Sequence, residues 1–260
     1  MQEWRDLGEK LEGFIRPATF PVAVRFLAAG EESPERARRP VEEVGCKIAL
    51  CQGLTLTRER GLTILLEREE SSCPLANAAL GWEGEADPSF MTAFLQMMNY
   101  ARDEATALKR ARGMAMLEPG AYPGIVFSPL TRTRVEPHLV LVYGNPAQIM
   151  RLVHAAVRWT GERVPAEFGG IAGSCNEGVL RTFIAATPRV ALPGNGDRVF
   201  ATTHDDELIF AFPAAWAERI MEGLEATSAR GVRYPIPTFI NYHLPFEDLV
   251  ERFGPQGGGS

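Results

Sequence analysis

Two segments in the second half of the chain share one pattern, in which an apolar strand-like run leads through Pro-Ala into an amphipathic helix. The first run starts at His138 and its helix continues to Trp159; the second starts at Glu207 and its helix continues to Ala226. Proline suits the first turn of a helix because its φ is already fixed and no N–H donor is needed there. Both segments therefore predict a strand followed by a helix that packs on a sheet.

The rest of the chain indicates the same kind of fold. Apolar side chains recur at helical spacing in residues 3–15, a run that Pro17 closes. Further helices are predicted at 44–60, 74–80, 88–100 and 103–111, and further strands at 20–27, 62–66, 124–130 and 189–192. We expect an α/β or α+β protein, a mixed sheet with flanking helices, containing either two related βα-rich halves or two ordinary βα units.

The length of the chain sets its domain organisation. At 260 residues, of which 45% are hydrophobic, it is long enough to bury a sizeable core. We expect residues 1–256 to form a single globular domain, or two fused lobes of about 1–115 and 116–256. Residues 257–260, Gly-Gly-Gly-Ser, resemble a linker or tag remnant and are left out of the fold prediction.

The charge and the apolar pattern restrict the partners. A net charge of −6 leaves no global basic field to attract a phosphate backbone, so no nucleic-acid partner is expected. No run approaches the roughly 18 uninterrupted apolar residues of a membrane span, and the first residues do not resemble a signal peptide. We therefore expect a cytoplasmic protein with no membrane partner. In that reducing compartment its four cysteines favour buried thiols or metal and redox ligands over disulfides.

Two of the cysteines stand where a helix is predicted to begin. Cys73 precedes Pro74, and Cys175 follows Ser174, which with Glu177 matches a capping-box pattern. The unpaired N–H groups and the positive dipole end of a helix stabilise a thiolate. We therefore expect both thiols to ionise readily and to be reactive or metal-binding.

Two loops are candidates for binding an anion or a cofactor. Glycines precede Cys175 and let backbone N–H groups turn toward a ligand, which makes Gly173 and Ser174 candidate cofactor-binding residues. Residues 194–198, Gly-Asn-Gly-Asp-Arg, either cradle an anion with the charge of Arg198 or form only a tight loop.

The other two cysteines are close in sequence but are not expected to act together. Cys46 and Cys51 are five residues apart, about 500° around a helix, so their side chains diverge by roughly 140° if that helix is continuous. We assign Cys51 to the site, and we expect Cys46 to be a buried small residue or a fourth ligand from the helix start. Free cysteines are often simple core residues, which is the alternative for all four.

Several motifs together resemble the DUF169 family of bacterial and archaeal proteins, over nearly the whole chain. They are Cys51-Gln52-Gly53, Ser72-Cys73-Pro74, Ser128-Pro129-Leu130, Tyr143-Gly144-Asn145-Pro146-Ala147-Gln148, Gly173-Ser174-Cys175, Gly196-Asp197-Arg198 and Tyr234-Pro235-Ile236-Pro237. The resemblance implies that Cys51, Cys73 and Cys175, but not Cys46, are at cysteine positions of the family. It also implies a further cysteine in many relatives where this chain has residues 193–195, Pro-Gly-Asn.

Three thiols at cysteine positions of the family suggest a particular cofactor. A 4Fe-4S cluster held by three thiolates keeps one iron open to a substrate, whereas a fourth thiolate favours electron transfer. We expect an iron–sulfur protein with Cys51, Cys73 and Cys175 as metal ligands and Arg198 as a charge near the site. Its partner would be a small anionic substrate or a redox protein. Three-thiolate zinc is the weaker metal alternative.

Two readings without a cluster stay open. The same thiols would also suit a pocket of a non-catalytic accessory protein that binds a tetrapyrrole, an organosulfur compound or a soft metal ion. In the other reading, Cys73 or Cys175 is a redox nucleophile that another thiol resolves. The usual dinucleotide, nucleotide and serine-hydrolase motifs are missing from the sequence.

Overall fold

A single six-stranded sheet is the centre of the structure, a computed structural model that describes residues 2–83, 88–236 and 240. Its strands are β1 (Val22–Leu27), β2 (Ile64–Glu67), β3 (Gly124–Pro129), β4 (Leu139–Gly144), β5 (Arg189–Ala191) and β6 (Leu208–Pro213). Their order across the sheet is β2-β3-β1-β4-β6-β5. The predicted α/β or α+β class is confirmed.

The pairing of these strands is antiparallel throughout, where a mixed sheet was expected. Strands β3 and β4 run in the same direction, but β1 lies between them. In the same way β6 separates β4 from β5. Strands that run in the same direction are therefore never neighbours in the sheet. The named strands form no parallel ladder.

The helices flank this sheet. They are α1 (Gln2–Ile15), α2 (Pro40–Val44), α3 (Leu50–Arg60), α4 (Pro74–Ala79), α5 (Pro88–Met97), α6 (Glu104–Arg112), α7 (Pro146–Thr160), α8 (Arg181–Ala185), α9 (Asn195–Phe200) and α10 (Ala217–Ala229). A π-helix occupies Gly173–Leu180 and runs into α8. Both predicted strand–helix units are present, as β4 with α7 and β6 with α10. In the described part of the chain, none of the helices has the length and apolar character needed to cross a membrane.

Alternation along the strands creates two separate cores. In β4, Leu141 and Tyr143 face the layer that contains α3, α4 and the π-helix. Val140 and Val142 face the opposite layer, which contains α1, α7 and α10. The described chain is therefore a helix–sheet–helix sandwich, and it places one face of the central strands toward the cysteine-bearing elements. The two lobes considered from the sequence both contribute strands to this one sheet. Strands β1 and β2 precede residue 115, and the other four strands follow it.

The continuous helix predicted over 44–60 is wrong, because the chain breaks at Gly45. Helix α2 ends at Val44, and Gly45 follows in the left-handed conformation with φ of 76°. Glycine adopts this conformation without a steric penalty and commonly ends helices. Helix α3 begins only at Leu50, so Cys46 and Cys51 do not share a helix. Residues 257–260, the expected linker remnant, lie outside the described residues.

Candidate functional site

The structure brings Cys51, Cys73 and Cys175 together from three elements. Cys51 is the second residue of α3, Cys73 is the residue before α4, and Cys175 is the third residue of the π-helix. Burial raises the pKa of Cys51 to about 12, and the charges of Asp197 and Cys73 add to that effect. Burial likewise raises the pKa of Cys175, with contributions from Asp197, Cys73 and Cys51. These mutual effects agree with the packing of α3 and α4 against the π-helix on the same face of the sheet. The three cysteines are called here the thiol cluster.

The expectation that Cys175 ionises readily is wrong. Its thiol is buried and donates to the carbonyl oxygen of Ala172 at 3.7 Å. The predicted capping box is also absent, because Ala172 in the left-handed conformation precedes the helix and the Ser174 side chain makes no capping bond. The Glu177 carboxylate instead accepts from the backbone N–H of Gly169 at 2.5 Å. Desolvation therefore outweighs any favourable effect of the helix end on Cys175.

Asp197 joins the thiol cluster, although the sequence reasoning singled out its neighbour. Its side chain is only 4% exposed. Its Oδ2 accepts from the backbone N–H of Gly194 at 2.7 Å and from that of Ser174 at 3.3 Å. The carboxylate thus ties the start of α9 to the start of the π-helix. Its position three residues after Gly194, in the first turn of a helix, is the sequence signal that could have identified it.

Arg198 makes its contacts elsewhere. Its guanidinium donates to the carbonyl oxygen of His204 and lies 4.0 Å from the carboxylate of Asp205. No contact of Arg198 with a thiol is present among the described residues. The role of Arg198 as a charge near the cofactor stays a prediction, and the charge with the largest effect on the pKa values of the buried thiols is that of Asp197.

Gly173 is where two backbone segments touch. A Cβ atom at this position would lie 2.1 Å from the carbonyl oxygen of Leu192 and 2.7 Å from the backbone nitrogen of Gly194. Only glycine allows this approach, which brings residues 192–194 against the first turn of the π-helix. This approach is the reason why glycine is needed at position 173, and cofactor binding by Gly173 and Ser174 stays a prediction.

A buried polar network supports the thiol cluster from the sheet side. The Tyr143 hydroxyl donates to Ser174 Oγ at 2.9 Å, and burial raises the pKa of Tyr143. Arg58 lies with its guanidinium carbon 4.3 Å from the centroid of the Tyr143 ring. Arg58 also donates to Glu207 Oε1 at 2.8 Å. The sequence reasoning gave none of Tyr143, Arg58 and Glu207 a role in the site. Tyr143 is named there only within a motif of the resemblance, and Arg58 and Glu207 are far from it in the chain.

Cys46 takes no part in the thiol cluster. It is exposed in the turn between α2 and α3, so it is neither a buried small residue nor positioned with the other three thiols. The physical reason is the helix break at Gly45, which separates Cys46 from α3. The thiol cluster thus consists of the three cysteines that the resemblance places at cysteine positions of the family.

The chemistry of the three cysteines, though not the present arrangement of their side chains, suits a soft metal group. Thiolates are the usual ligands of iron–sulfur clusters. Three buried polar atoms next to the cysteines in sequence, Ser71 Oγ, Asn77 Oδ1 and Glu177 Oε2, have no hydrogen-bond partner. However, in the residues described, no group of three His, Cys, Asp or Glu side chains could hold a metal ion.

Two cavities border the cysteine-bearing elements. One, of about 450 Å³, is mainly apolar and is lined by Pro74, Met91, Met114 and Met116 among others. The second, of about 570 Å³, has Asn176 in its wall together with three cationic side chains, Lys109, Arg110 and Arg181. A larger cleft of about 1240 Å³ shares no lining residue with the thiol cluster.

Comparison with known proteins identifies relatives but no function. The model of the DUF169 family, described as uncharacterised ArCR, matches residues 10–223. An uncharacterized protein of Methanocaldococcus jannaschii is 26% identical over 205 residues, which cover 78% of this chain and 86% of that protein. No solved structure gives a significant match.

Proposed function

The chain belongs to the DUF169 family, and we propose that it is an iron–sulfur protein in which Cys51, Cys73 and Cys175 hold a 4Fe-4S cluster. The observation that carries the proposal is that these three cysteines, far apart in sequence, lie on three elements packed together on one face of the sheet and influence one another electrostatically. The same three were assigned as ligands from the sequence.

The protonation of the free thiols is consistent with a site that is completed by a cation. Burial and neighbouring negative charge hold Cys51 and Cys175 in the neutral form when no metal is present. Metal binding releases such protons because thiolate is the ligand. The thiols would therefore lose their protons when iron binds, and would not be ionised beforehand.

A small anion is the substrate class that best suits the surroundings. Three thiolates leave one iron without a protein thiol, and when bound the cluster would supply a Lewis-acidic metal there. The cavity of about 570 Å³ adjoins Asn176, next to Cys175, and its wall carries three cations, Lys109, Arg110 and Arg181, and two carboxylates, Glu167 and Glu177. Arg181 is paired with Glu167, so Lys109 and Arg110 would attract and orient a carboxylate or a phosphate. A redox partner is the other possibility for this site.

Anaerobic purification from a cluster-competent host tests the proposal. We expect a brown protein with about four irons and four sulfides per chain, as the formula requires. Replacement of Cys51, Cys73 or Cys175 by Ala should abolish or strongly reduce the iron content. Cys46→Ala is the matched control, because Cys46 is exposed and outside the thiol cluster, and it should retain the iron. Colourless wild-type protein without iron would refute the proposal.

The apolar cavity favours a second candidate, a non-catalytic accessory protein that binds a small molecule. Its methionines, Met91, Met114 and Met116, form an adaptable apolar wall, and Pro74 places the cavity next to Cys73. An organosulfur compound or a tetrapyrrole fits such a wall. Native mass spectrometry of the purified protein would reveal a retained organic ligand. Loss of that ligand in Met114→Asp with unchanged folding would support this function, and a ligand-free wild-type spectrum would contradict it.

A further inference from the structure

The cleft of about 1240 Å³ lies where α1, residues 34–38 and the turn of residues 130–134 after β3 meet. Its wall is strongly polar, with five arginines and four glutamates, and only three of its side chains, Pro34, Ala37 and Leu62, are purely hydrocarbon. Pockets for apolar molecules are lined mainly by apolar and aromatic side chains. The occupant that this cleft suits is therefore a polar molecule with several groups that form hydrogen bonds.

Arg132 provides a positioned cation in the cleft. Its guanidinium carbon lies 4.8 Å from the centroid of the Phe20 ring, and its Nη1 donates to the carbonyl oxygen of Gly61 at 3.3 Å. A Cβ atom at Gly61 would lie 2.6 Å from the same Nη1, so glycine there makes room for the guanidinium. Both contacts are with neutral groups. A guanidinium has five N–H donors, and Arg132 therefore keeps donors for an anion.

Two further arginines of the cleft have no carboxylate partner. Arg134 lies on the same turn as Arg132, and Arg36 belongs to the 34–38 segment. Within the described part of the chain, none of these three forms an ion pair, whereas the other two arginines of the cleft pair with glutamates. Guanidinium groups bind phosphate through paired, charge-assisted hydrogen bonds. The unpaired arginines therefore favour a phosphate group.

The glutamates of the cleft suit a different part of the same ligand. Glu12 is half-buried on α1, and its Oε1 is buried without a hydrogen-bond partner. Glu35 and Glu42 also line the cleft, and neither forms an ion pair with a described residue. Carboxylates repel a phosphate but accept hydrogen bonds from hydroxyl groups. A ligand with hydroxyl groups beside its phosphate would use both kinds of side chain.

We propose that this cleft binds a phosphorylated polyol, the class to which sugar phosphates belong. The phosphate would lie against Arg132 and Arg134, and hydroxyl groups would donate to Glu12. The proposal is independent of the iron–sulfur function, because the cleft shares no lining residue with the thiol cluster. It gives the protein a second binding site, built from α1 and the two polar segments.

Isothermal titration calorimetry of the full-length, metal-free protein at low salt tests the proposal. The probes are ribose 5-phosphate, glucose 6-phosphate and glycerol 3-phosphate, with inorganic phosphate and ribose as partial ligands. We expect at least one phosphorylated polyol to bind about ten times more tightly than either partial ligand, since it meets both the arginines and the glutamates. Equal affinity for inorganic phosphate, or no binding of the three probes, would overturn the proposal.

Variants separate the two ends of the ligand. Arg132→Gln and Arg134→Gln should each weaken binding of the phosphorylated polyol about tenfold. Glu12→Leu should weaken it too, but should leave binding of inorganic phosphate unchanged or tighter. Arg158→Gln is the matched control, because Arg158 is an exposed arginine outside the cleft, and it should bind as the wild type does.

Circular dichroism checks that each variant is folded, and Arg134→Gln keeps the test valid if loss of the Arg132 contacts disturbs folding. Binding that is unaffected in Arg134→Gln and Glu12→Leu would place the ligand elsewhere and refute the assignment. Because iron content is measured separately, this result would leave the iron–sulfur function untouched, and iron-free protein would likewise leave the cleft assignment standing.

Discussion

The guanidinium of Arg58 lies over the ring of Tyr143, 4.3 Å from its centroid, and both side chains are almost completely buried. The same guanidinium is paired with Glu207, and the Tyr143 hydroxyl donates to Ser174 beside Cys175. The thiol cluster is therefore supported by a charged pair in the core. Removing one member of this pair should affect the whole site.

Replacement of Arg58 by Met should destabilise the protein by about 3–5 kcal/mol, because it leaves the buried carboxylate of Glu207 without its partner. Urea unfolding of the metal-free protein measures this change. The control is Arg158→Met, which breaks an exposed pair with Glu222 and should cost less than about 1 kcal/mol. Equal losses in the two variants would show that the Arg58 pair is offset by other contacts.

Replacement of Gly173 by Ala should destabilise the protein by about 3 kcal/mol or more, since the new Cβ would collide with the backbone of Leu192 and Gly194. Gly196→Ala is a sharp control in the same region. Its nearest neighbour would be Phe200 at 3.9 Å, an ordinary contact, and alanine favours the helix there. Thermal unfolding of both variants decides the point, and a Gly173→Ala protein as stable as wild type would contradict the observed close approach.

The thiols of the metal-free protein should differ strongly in reactivity. Exposed Cys46 should be alkylated by iodoacetamide at pH 8 at least about ten times faster than Cys51 and Cys175, whose pKa values are raised by burial. Peptide mass spectrometry after timed quenching gives each rate. In Cys46→Ser the fast phase should disappear. Rapid labelling of Cys175 would contradict this prediction and would support the alternative in which Cys175 is a redox nucleophile.

The raised pKa of Cys51 also has a consequence for stability at high pH. An unfolded thiol ionises near pH 8.5, whereas Cys51 in the folded protein ionises only near pH 12. Its contribution to stability is complete below the unfolded pKa and is lost as the pH rises through the folded one. The free energy of unfolding of the metal-free protein should therefore fall between about pH 8.5 and 12. In Cys51→Ala the fall should be shallower, and an unchanged slope would argue against the buried thiol.

His138 should make the protein less stable in mild acid. Burial lowers its pKa, with a further contribution from Arg25, and its Nδ1 accepts from the backbone N–H of Phe26 at 3.1 Å. Protonation would abolish that bond. The contribution is complete above the unfolded pKa, near 6.5, and is lost as the pH falls through the lower folded value. Urea unfolding at several pH values should show this loss in the wild type and in the exposed-site control His154→Gln, but not in His138→Gln.

The sequence predicts most of the secondary structure because apolar periodicity and proline positions are local signals. The strand–proline–helix unit ending at Thr160 is an example. Asn145 caps its helix, and Pro146 occupies the first helical position. The sequence does not predict the break at Gly45, because a glycine between two helix-like segments can either end a helix or lie inside one. The order of the strands depends on contacts between distant segments, which periodicity does not report.

For the candidate site, residue type and the resemblance led to Cys51, Cys73 and Cys175, and their role as ligands stays a prediction. The raised pKa of Cys175 depends on burial and on Asp197, and neither is visible before folding. The sequence reasoning chose Arg198 for its charge and gave Asp197 no role. The structure places the acidic neighbour inside and gives the arginine other contacts.

The thiol cluster takes its members from distant parts of the polypeptide, and this has a consequence for biosynthesis. Cys51 and Cys73 emerge from the ribosome well before Cys175 and Asp197, and β3 and β4 are made in between. The site therefore does not exist in a nascent chain that has not yet reached the π-helix. Any group held by all three thiols must therefore bind after translation has passed this point.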